Sequence, residues 1–239
     1  MKTVAILSQK GGVGKTTLAT CLAVAGEEDG KKTAIFDIDP QATSSFWQDT
    51  RKEVLGVDTT AVVSLQALRI PPMIKAAAEA GTDLVIIDAP AVHRDIAKTA
   101  AENANFIFIP FQAAVFDTVS MISTVEIVQQ CNKPFALVLN FADFSGYENQ
   151  DAIDAAKALK VNLCDVFLYK RKAYKRAQAK GLAVQEFERN PKKFSDGKIS
   201  RTADGKASKE IIALYDYMCI HLYTNKKGAS HGITGRRAS

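Results

Sequence analysis

The sequence has few of the features that mark membrane, disulfide-bonded or metal-centred proteins. None of its apolar runs approaches the roughly 20 residues that a membrane-spanning helix needs. The four cysteines, Cys21, Cys131, Cys164 and Cys219, lie far apart and without disulfide or zinc-site spacing. We therefore interpret them as reduced core residues of a cytosolic protein. The first apolar run, residues 4–7, is too short for a signal peptide.

The charged residues are unevenly distributed along the 239-residue chain. Residues 169–209 carry 13 Lys and Arg against 4 Asp and Glu, whereas residues 1–168 carry 14 against 20. An acidic body with a basic C-terminal third indicates a polyanionic partner. A lysine-rich surface that only contacts solvent is the alternative, and composition alone does not separate the two.

Short apolar runs alternate with helical patterns along the chain. The predicted strands are residues 3–8, 33–37, 62–65, 84–88, 105–110, 134–140 and 166–169. The predicted helices are residues 16–25, 44–52, 73–80, 95–103, 118–130, 152–160 and 210–223. Near-continuous apolar strands alternating with helices predict an α/β fold, a mostly parallel, twisted sheet covered by helices on both faces. We expect a single domain over residues 1–223 and a disordered basic tail over 224–239.

Two of the helices carry apolar positions at helical spacing. In the helix over 118–130 these positions are Val119, Ile122, Val125 and Val128. In the last helix they are Ile211, Leu214, Tyr215, Met218 and Leu222. A terminal amphipathic helix can also lie on a membrane surface, but its polar face is then rich in Lys and Arg. Here that face carries Glu210 and Asp216, which favours packing against the sheet.

The segment SQKGGVGKTT, residues 8–17, joins the first strand to the first helix. Glycines in such a turn let backbone N–H groups approach phosphate oxygens, and the helix N-terminus attracts the same anion. Lys15 adds a cation, and the Thr16 hydroxyl is placed to bind the Mg²⁺ that accompanies a nucleoside triphosphate. The general phosphate-loop spacing requires glycine at position 9, which here is Gln9, followed by a second lysine, Lys10.

Acidic and amide side chains end three of the predicted strands. Asp88 ends LVIID, where a phosphate-loop enzyme places the carboxylate that holds magnesium through water. Asp37 and Asp39, in DIDPQATS, are two residues apart on an extended segment, so we expect both carboxylates to face the phosphates. Asn140 ends FALVLN, and its amide can both donate and accept hydrogen bonds.

In this order and spacing, KGGVGKTT, DIDPQATS and LVIIDAP resemble the ParA/MinD superfamily, whose phosphate loop does not require glycine at the Gln9 position. The resemblance covers residues 3 to about 223, is strongest to ParA-type ATPases, and implies a P-loop NTPase fold with ATP and Mg²⁺ as ligands. The chain is similar to small plasmid-type or orphan members without an N-terminal helix-turn-helix. Its cysteines are not placed for the metal cluster of the nitrogenase-iron branch.

The resemblance also implies roles for individual residues. Catalysis is assigned to Lys10, Lys15 and Asp39, with Lys10 reaching the partner subunit's nucleotide and Asp39 orienting the attacking water. Nucleotide binding is assigned to Lys10, Gly11, Gly12, Val13, Gly14, Lys15, Thr16, Thr17 and Asn140, the last at the adenine edge. Magnesium is assigned to Thr16, Asp37 and Asp88. Gln41, Thr43 and Ser44 correspond to the first switch, and Ala89-Pro90 to the second.

The implied activity is weak, partner-stimulated ATP hydrolysis by a DNA partition or cargo-positioning protein. Such a protein forms an ATP-bound homodimer that binds DNA non-specifically on the nucleoid, and a ParB-like or cargo-adaptor protein stimulates hydrolysis. The candidate DNA contacts are Lys170, Arg171, Lys172, Lys175, Arg176, Arg189, Lys192, Lys193, Lys198 and Arg201. Two alternatives stay open, a MinD-like ATPase on a membrane surface and a nucleotide-gated DNA-binding regulator with little turnover.

Overall fold

The computed structural model describes residues 1–56, 60–91, 93–113, 115–145, 147–189 and 205–223. Its centre is a parallel sheet with the strand order β3-β2-β4-β1-β5-β6-β7. The strands are β1 (Lys2–Ile6), β2 (Thr33–Asp37), β3 (Ala61–Ser64), β4 (Leu84–Asp88), β5 (Phe106–Phe111), β6 (Phe135–Ala142) and β7 (Leu168–Tyr169). The predicted α/β class and parallel sheet are therefore confirmed.

Helices cover both faces of the sheet, because successive strand residues point to opposite sides and both sides are apolar. The helices are α1 (Lys15–Glu28), α2 (Thr43–Leu55), α3 (Ile70–Glu79), α4 (Arg94–Glu102), α5 (Val115–Gln130), α6 (Glu148–Ala158), α7 (Lys172–Gln178), α8 (Val184–Arg189) and α9 (Lys206–Tyr223). Val4 and Ile6 of β1 pack with α1, α7, α8 and α9 on one face. Ala5 and Leu7 pack with α4, α5 and α6 on the other.

Helix α5 buries only some of the apolar residues whose spacing predicted it. Val125 and Val128 are buried, but Val119 is 66% exposed and Ile122 36% exposed, while Met121 is buried in their place. A helix turns about 100° per residue, so residues spaced by three drift around it, and positions 119 and 128 lie on opposite sides. The predicted helix is therefore confirmed, but its four apolar positions do not share one face.

The terminal helix α9 packs as its pattern predicts. Its whole apolar stripe is buried in the core cluster that includes α1. Lys31 and Asp29, on the turn after α1, both hydrogen-bond the Tyr215 hydroxyl at 2.8 Å. None of the helices among the described residues is long and apolar enough to cross a membrane. The predicted tail, residues 224–239, lies outside the described residues.

The cysteine prediction holds for two of the four thiols. Cys21 and Cys164 are buried, and burial raises the pKa of each thiol to about 12, so both are unreactive. Cys131 and Cys219 are only half-buried, at the edges of the two core clusters. The interpretation of all four as core residues was wrong for these two.

Candidate nucleotide-binding site

The site lies at the carboxyl edge of the sheet, where the strand order changes direction around β1. β4 pairs with one side of β1 and β5 with the other, and such a switch point opens a crevice beyond the strand ends. Asp88 ends β4 beside Asp37 of β2 and Ile6 of β1. The register of the strands therefore places the predicted acidic residues, Asp37 and Asp88, next to the loop that follows β1.

Gly12 and Gly14 give the loop its shape. Both have left-handed φ angles, +76° and +87°, which favour glycine. A Cβ on Gly14 would lie 2.5 Å from Nδ2 of Asn140 and 2.9 Å from the Phe141 ring. The Gly14 carbonyl accepts from Leu18 N at 3.0 Å and so begins α1. The loop is thus packed against the end of β6 on one side and leads into a helix N-terminus on the other.

Lys15 points back into the loop that carries it. Its side chain is buried, and Nζ donates to the Lys10 carbonyl at 3.1 Å. Burial lowers the pKa of Lys15, and the neighbouring charges of Asp88 and Asp39 act in the opposite direction. At the non-glycine position, Gln9 N donates to the buried Thr124 hydroxyl of α5 at 3.2 Å, which fixes the start of the loop.

Asp88 is fully buried below the loop and receives two hydroxyl donors. Thr16 Oγ1 donates to its Oδ2 at 2.7 Å, and Ser44 Oγ of α2 donates to the same atom at 2.8 Å. Within the described residues Oδ1 has no hydrogen-bond partner. Burial raises the pKa of Asp88 to about 6, against the opposing effect of the two hydroxyls.

This arrangement fits a magnesium ion. A buried carboxylate oxygen without a partner and an adjacent threonine hydroxyl are hard oxygen ligands of the kind that Mg²⁺ takes together with phosphates and water. No group of three or more His, Cys, Asp or Glu side chains that could hold a metal occurs among the described residues. Nucleotide phosphates and water would supply the remaining ligands of such an ion.

The structure separates the two carboxylates of DIDPQATS. Asp37 is fully buried, and its oxygens accept from Asp39 N at 3.2 Å and from Ser45 N at 3.1 Å. Burial raises the pKa of Asp37. Asp39 is half-buried and lines the cavity, with Gln41 N donating to its Oδ1 at 2.9 Å. Of the two carboxylates, Asp39 lines the cavity and Asp37 does not, and a metal role for Asp37 stays a prediction.

A cavity of about 1070 Å³ opens above the loop, and we call it the nucleotide cavity. Its loop side consists of Gly11, Gly12, Gly14, Lys15, Thr16 and Thr17. Its other lining residues are Asp39, Thr43, Ala91, Gln112, Ala113, Phe141, Asp143, Lys170, Arg171, Lys172, Tyr174, Lys175 and Gln178. Lys10, on the loop itself, is not among its lining residues.

Three residues that sequence reasoning missed fix the loop and α1 from outside. Gln112, directly after β5, donates through Nε2 to the Gly12 carbonyl at 3.0 Å. Phe141 follows Asn140 and packs against Gly14. Gln178 of α7 donates to the Thr20 hydroxyl of α1 at 2.7 Å. Only Gln112 had a usable signal, since it is a polar residue at the carboxyl end of a buried strand.

Asn140 contacts the phosphate loop in this structure. Its amide is buried, Nδ2 donates to the Val13 carbonyl at 2.6 Å, and Oδ1 accepts from Phe141 N at 3.0 Å. Both polar atoms of the side chain are therefore engaged. Its assignment to the adenine edge stays a prediction, one that requires these bonds to rearrange.

The candidate DNA contacts that the structure describes differ in their surroundings. Lys170, Arg171, Lys172 and Lys175 line the nucleotide cavity, whereas Arg176 is exposed outside it. Two of the set are held in ion pairs, Arg171 with Glu210 through Nε at 2.9 Å and Arg189 with Glu28 at 3.0 Å. Lys192, Lys193, Lys198 and Arg201 lie outside the described residues.

Comparison with known proteins places this geometry in a family. The family model for the CobQ/CobB/MinD/ParA nucleotide binding domain matches residues 4–184. The chain belongs to this family. The predicted membership of the ParA/MinD ATPase superfamily, and the P-loop fold that it implies, are therefore confirmed.

Individual relatives of this family extend over most of the chain. Maintenance of carboxysome distribution protein A from Gloeobacter kilaueensis is 26% identical over 209 residues, 85% of this chain and 93% of that protein. The structure of apo McdA from Cyanothece has a TM-score of 0.71 at 20% identity, covering 91% of this chain and 99% of that one. The septum site-determining protein MinD from Pyrococcus horikoshii, complexed with Mg-ADP, has a TM-score of 0.69 at 17% identity, covering 91% and 95%.

Proposed function

We propose that this chain is an ATP-hydrolysing positioning protein of the ParA type, which binds DNA as an ATP-bound dimer and is released on hydrolysis. The proposal rests mainly on Asp88, which is buried directly below the phosphate loop. Thr16 and Ser44 hold one oxygen of Asp88, and the other is left for a metal shell. That arrangement suits a magnesium-bound nucleoside triphosphate.

Lys15 and the loop N–H groups would bind the β- and γ-phosphates and stabilise the charge that develops on the transferred phosphoryl group. Asp39 lines the same cavity with one oxygen fixed by Gln41 N, so its other oxygen can accept a proton from, or orient, the attacking water. Magnesium, held by Thr16 and the Asp88 shell, would neutralise phosphate charge.

The position of Lys10, the second lysine of the loop, is consistent with a role in dimerisation. The Lys10 carbonyl is occupied by Lys15, and the Lys10 side chain is not part of its own nucleotide cavity. We propose that this side chain reaches the nucleotide of a second subunit, as the resemblance to the ParA/MinD superfamily implies. We expect loss of Lys10 to weaken the ATP-dependent dimer more than it weakens nucleotide binding by the monomer.

DNA binding rests on charge. Residues 169–209 carry a local net charge of +9, from 13 basic and 4 acidic residues. Non-specific DNA binding of this kind depends on counterion release and weakens steeply with salt. Arg176, exposed outside the nucleotide cavity, is one candidate contact together with the other basic residues of this region, and such binding would place the protein on the nucleoid.

A membrane-surface role is less well supported. The apolar stripe of α9 is buried against the sheet, so it is not available to lipid unless the helix detaches. One sequence relative, which matches 85% of this chain, is a maintenance of carboxysome distribution protein. We therefore favour a protein assembly over a plasmid as the cargo, moved with an adaptor protein that stimulates hydrolysis.

Phosphate release tests the proposal directly. With Mg²⁺ and ATP, the full chain is expected to release phosphate slowly and faster when duplex DNA and the cognate adaptor are added. Lys15→Ala is the negative control. ATP-dependent, salt-sensitive binding of random duplex DNA without phosphate release would instead favour a nucleotide-gated regulator, and ATP-dependent sedimentation with liposomes would favour the membrane reading.

A further inference from the structure

Three lysines assigned to DNA by their sequence position line the nucleotide cavity instead. Lys170 follows β7, and Lys172 and Lys175 lie on α7; all three are exposed. We call them the lysine wall. Within the described part of the chain, none of the three is in an ion pair, unlike Arg171 beside them, which is held by Glu210. They are therefore available to an anion inside the cavity.

The nucleotide cavity suits a small anion rather than a duplex. At about 1070 Å³ it is at the upper end of the roughly 300–1,000 Å³ usual for small-molecule sites. Duplex DNA can reach these exposed lysines only from the mouth of the cavity, whereas a small anion can enter the cavity itself. Among the described residues that line the cavity on that side, the acidic side chain is Asp143, and nearby Glu210 is paired with Arg171, which leaves a local excess of two positive charges.

The lysine wall lies at the nucleoside end of the cavity. The metal end is fixed by Thr16 and Asp88, and the γ-phosphate end by Lys15 beside Asp39. On the other side, Phe141 packs against Gly14, and Gln178 of α7 contacts Thr20. A nucleotide with its phosphates on the loop therefore extends its ribose and base towards β7 and α7.

The three lysines therefore lie on the side of the cavity that the ribose and base of ATP would occupy, and these parts of ATP carry no charge. We propose that the lysine wall is a second phosphate subsite of the nucleotide cavity, for nucleotides that carry a phosphate on the ribose in addition to the 5′ chain. The proposal rests on the proposed nucleotide site. A nucleotide with a ribose phosphate should therefore bind more tightly than the same nucleotide without it. This difference in affinity should decrease as the salt concentration rises.

Competition between two matched nucleotides tests this subsite. A fluorescent ATP analogue bound to the full chain is displaced by ADP and by ADP that carries a 3′-phosphate, at low and at physiological salt. We expect the 3′-phosphorylated ligand to compete about five-fold better or more at low salt, as three exposed charge pairs suggest. The ratio should fall towards one in the variant Lys170→Gln/Lys172→Gln/Lys175→Gln.

Arg176→Gln is the matched control, because Arg176 is an exposed cation of the same helix outside the cavity. It should keep the wild-type ratio. Should the triple variant fail to fold, judged by thermal unfolding, Lys172→Gln alone should still reduce the ratio. A wild-type ratio of one, or a ratio that survives in the triple variant, overturns the subsite.

Two further outcomes separate this proposal from the proposed function. If neither nucleotide displaces the analogue because none binds, the nucleotide site itself is refuted. If ADP binds normally and the triple variant loses affinity for random duplex DNA but not the nucleotide ratio, the lysines belong to a DNA surface and the subsite is wrong.

Discussion

The two sides of the nucleotide cavity are built in different ways. On the loop side the functional groups are buried and already hydrogen-bonded, as Lys15 is to the Lys10 carbonyl and Asp88 is to Thr16. On the α7 side the lysine wall is exposed, and its side chains make no ion pairs within the described residues. The loop side is preorganised for one geometry, whereas the lysine wall is adaptable and should respond to salt.

The largest difference between the two sides should appear on removing one lysine from each. Lys15→Ala should weaken ATP binding by about 100-fold or more, because Lys15 is buried beside the phosphates and Lys10, the other lysine of the loop, does not line the cavity. Lys175→Ala should change ATP binding by about three-fold or less, since exposed charges are screened. Titration calorimetry of both variants measures this, and equal losses would contradict the contrast.

Backbone shape should matter on the loop side even without nucleotide. Gly14→Ala places a Cβ 2.5 Å from Asn140 Nδ2 at a φ of +87°, so we expect a loss of about 2–4 kcal/mol in the free energy of unfolding. Gly11→Ala is the control, because nothing lies within 4 Å of its added Cβ and its φ is not left-handed. Denaturant unfolding of the nucleotide-free variants decides whether only Gly14 is sensitive.

Arg51 links α2, the helix that carries Ser44, to α8. Its guanidinium donates to Glu186 of α8 at 2.6 and 2.8 Å and lies 5.1 Å from the Trp47 ring. Arg51→Met leaves the partly buried Glu186 without this partner, and we expect a cost of about 2 kcal/mol, measured by denaturant unfolding. Glu53→Ala, at an exposed position of the same helix, should change stability by less than about 0.5 kcal/mol.

The buried carboxylate should make the nucleotide-free protein less stable than it could be. The pKa of Asp88 is raised to about 6, so its protonation favours the folded state; that contribution is fully present below about pH 4 and is lost as pH rises through 6. At pH 7.5, Asp88→Asn should therefore raise the free energy of unfolding by about 1–2 kcal/mol, while magnesium-dependent nucleotide binding is lost.

The gain from Asp88→Asn should shrink when unfolding is measured at pH 5, where the wild-type carboxyl is largely protonated. Asp143→Asn, at an exposed cavity position, serves as the control and should show no such pH dependence. A gain of the same size at both pH values would contradict the buried-charge explanation.

Sequence patterns predicted the loop side well because its determinants are local. Apolar strands, the glycine spacing and the acidic strand ends place Lys15, Thr16 and Asp88 without long-range information. The α7 side was harder. Helices α7 and α8 have 7 and 6 residues, and the basic α7 has no clear apolar period, so neither was predicted.

Long-range contacts account for the other differences. Asp37 lies in the motif that the sequence assigns to the phosphates, yet it is buried and binds Ser45 at the start of α2. Which residues of α5 face the core also depends on the fold, since Met121 is buried and Val119 is exposed. Charge counts alone could not separate cations that line a cavity from cations outside it.

The most direct test of the proposed cycle is how long the ATP-bound protein stays on DNA. Wild type and Asp39→Ala are loaded with Mg²⁺ and ATP on immobilised random duplex DNA, and dissociation is followed after free nucleotide is removed. We expect wild type to leave at its hydrolysis rate and Asp39→Ala, which retains ATP binding, to stay at least about 10-fold longer. Equal dissociation of the two, or equal binding of wild type without nucleotide, would contradict the proposed cycle.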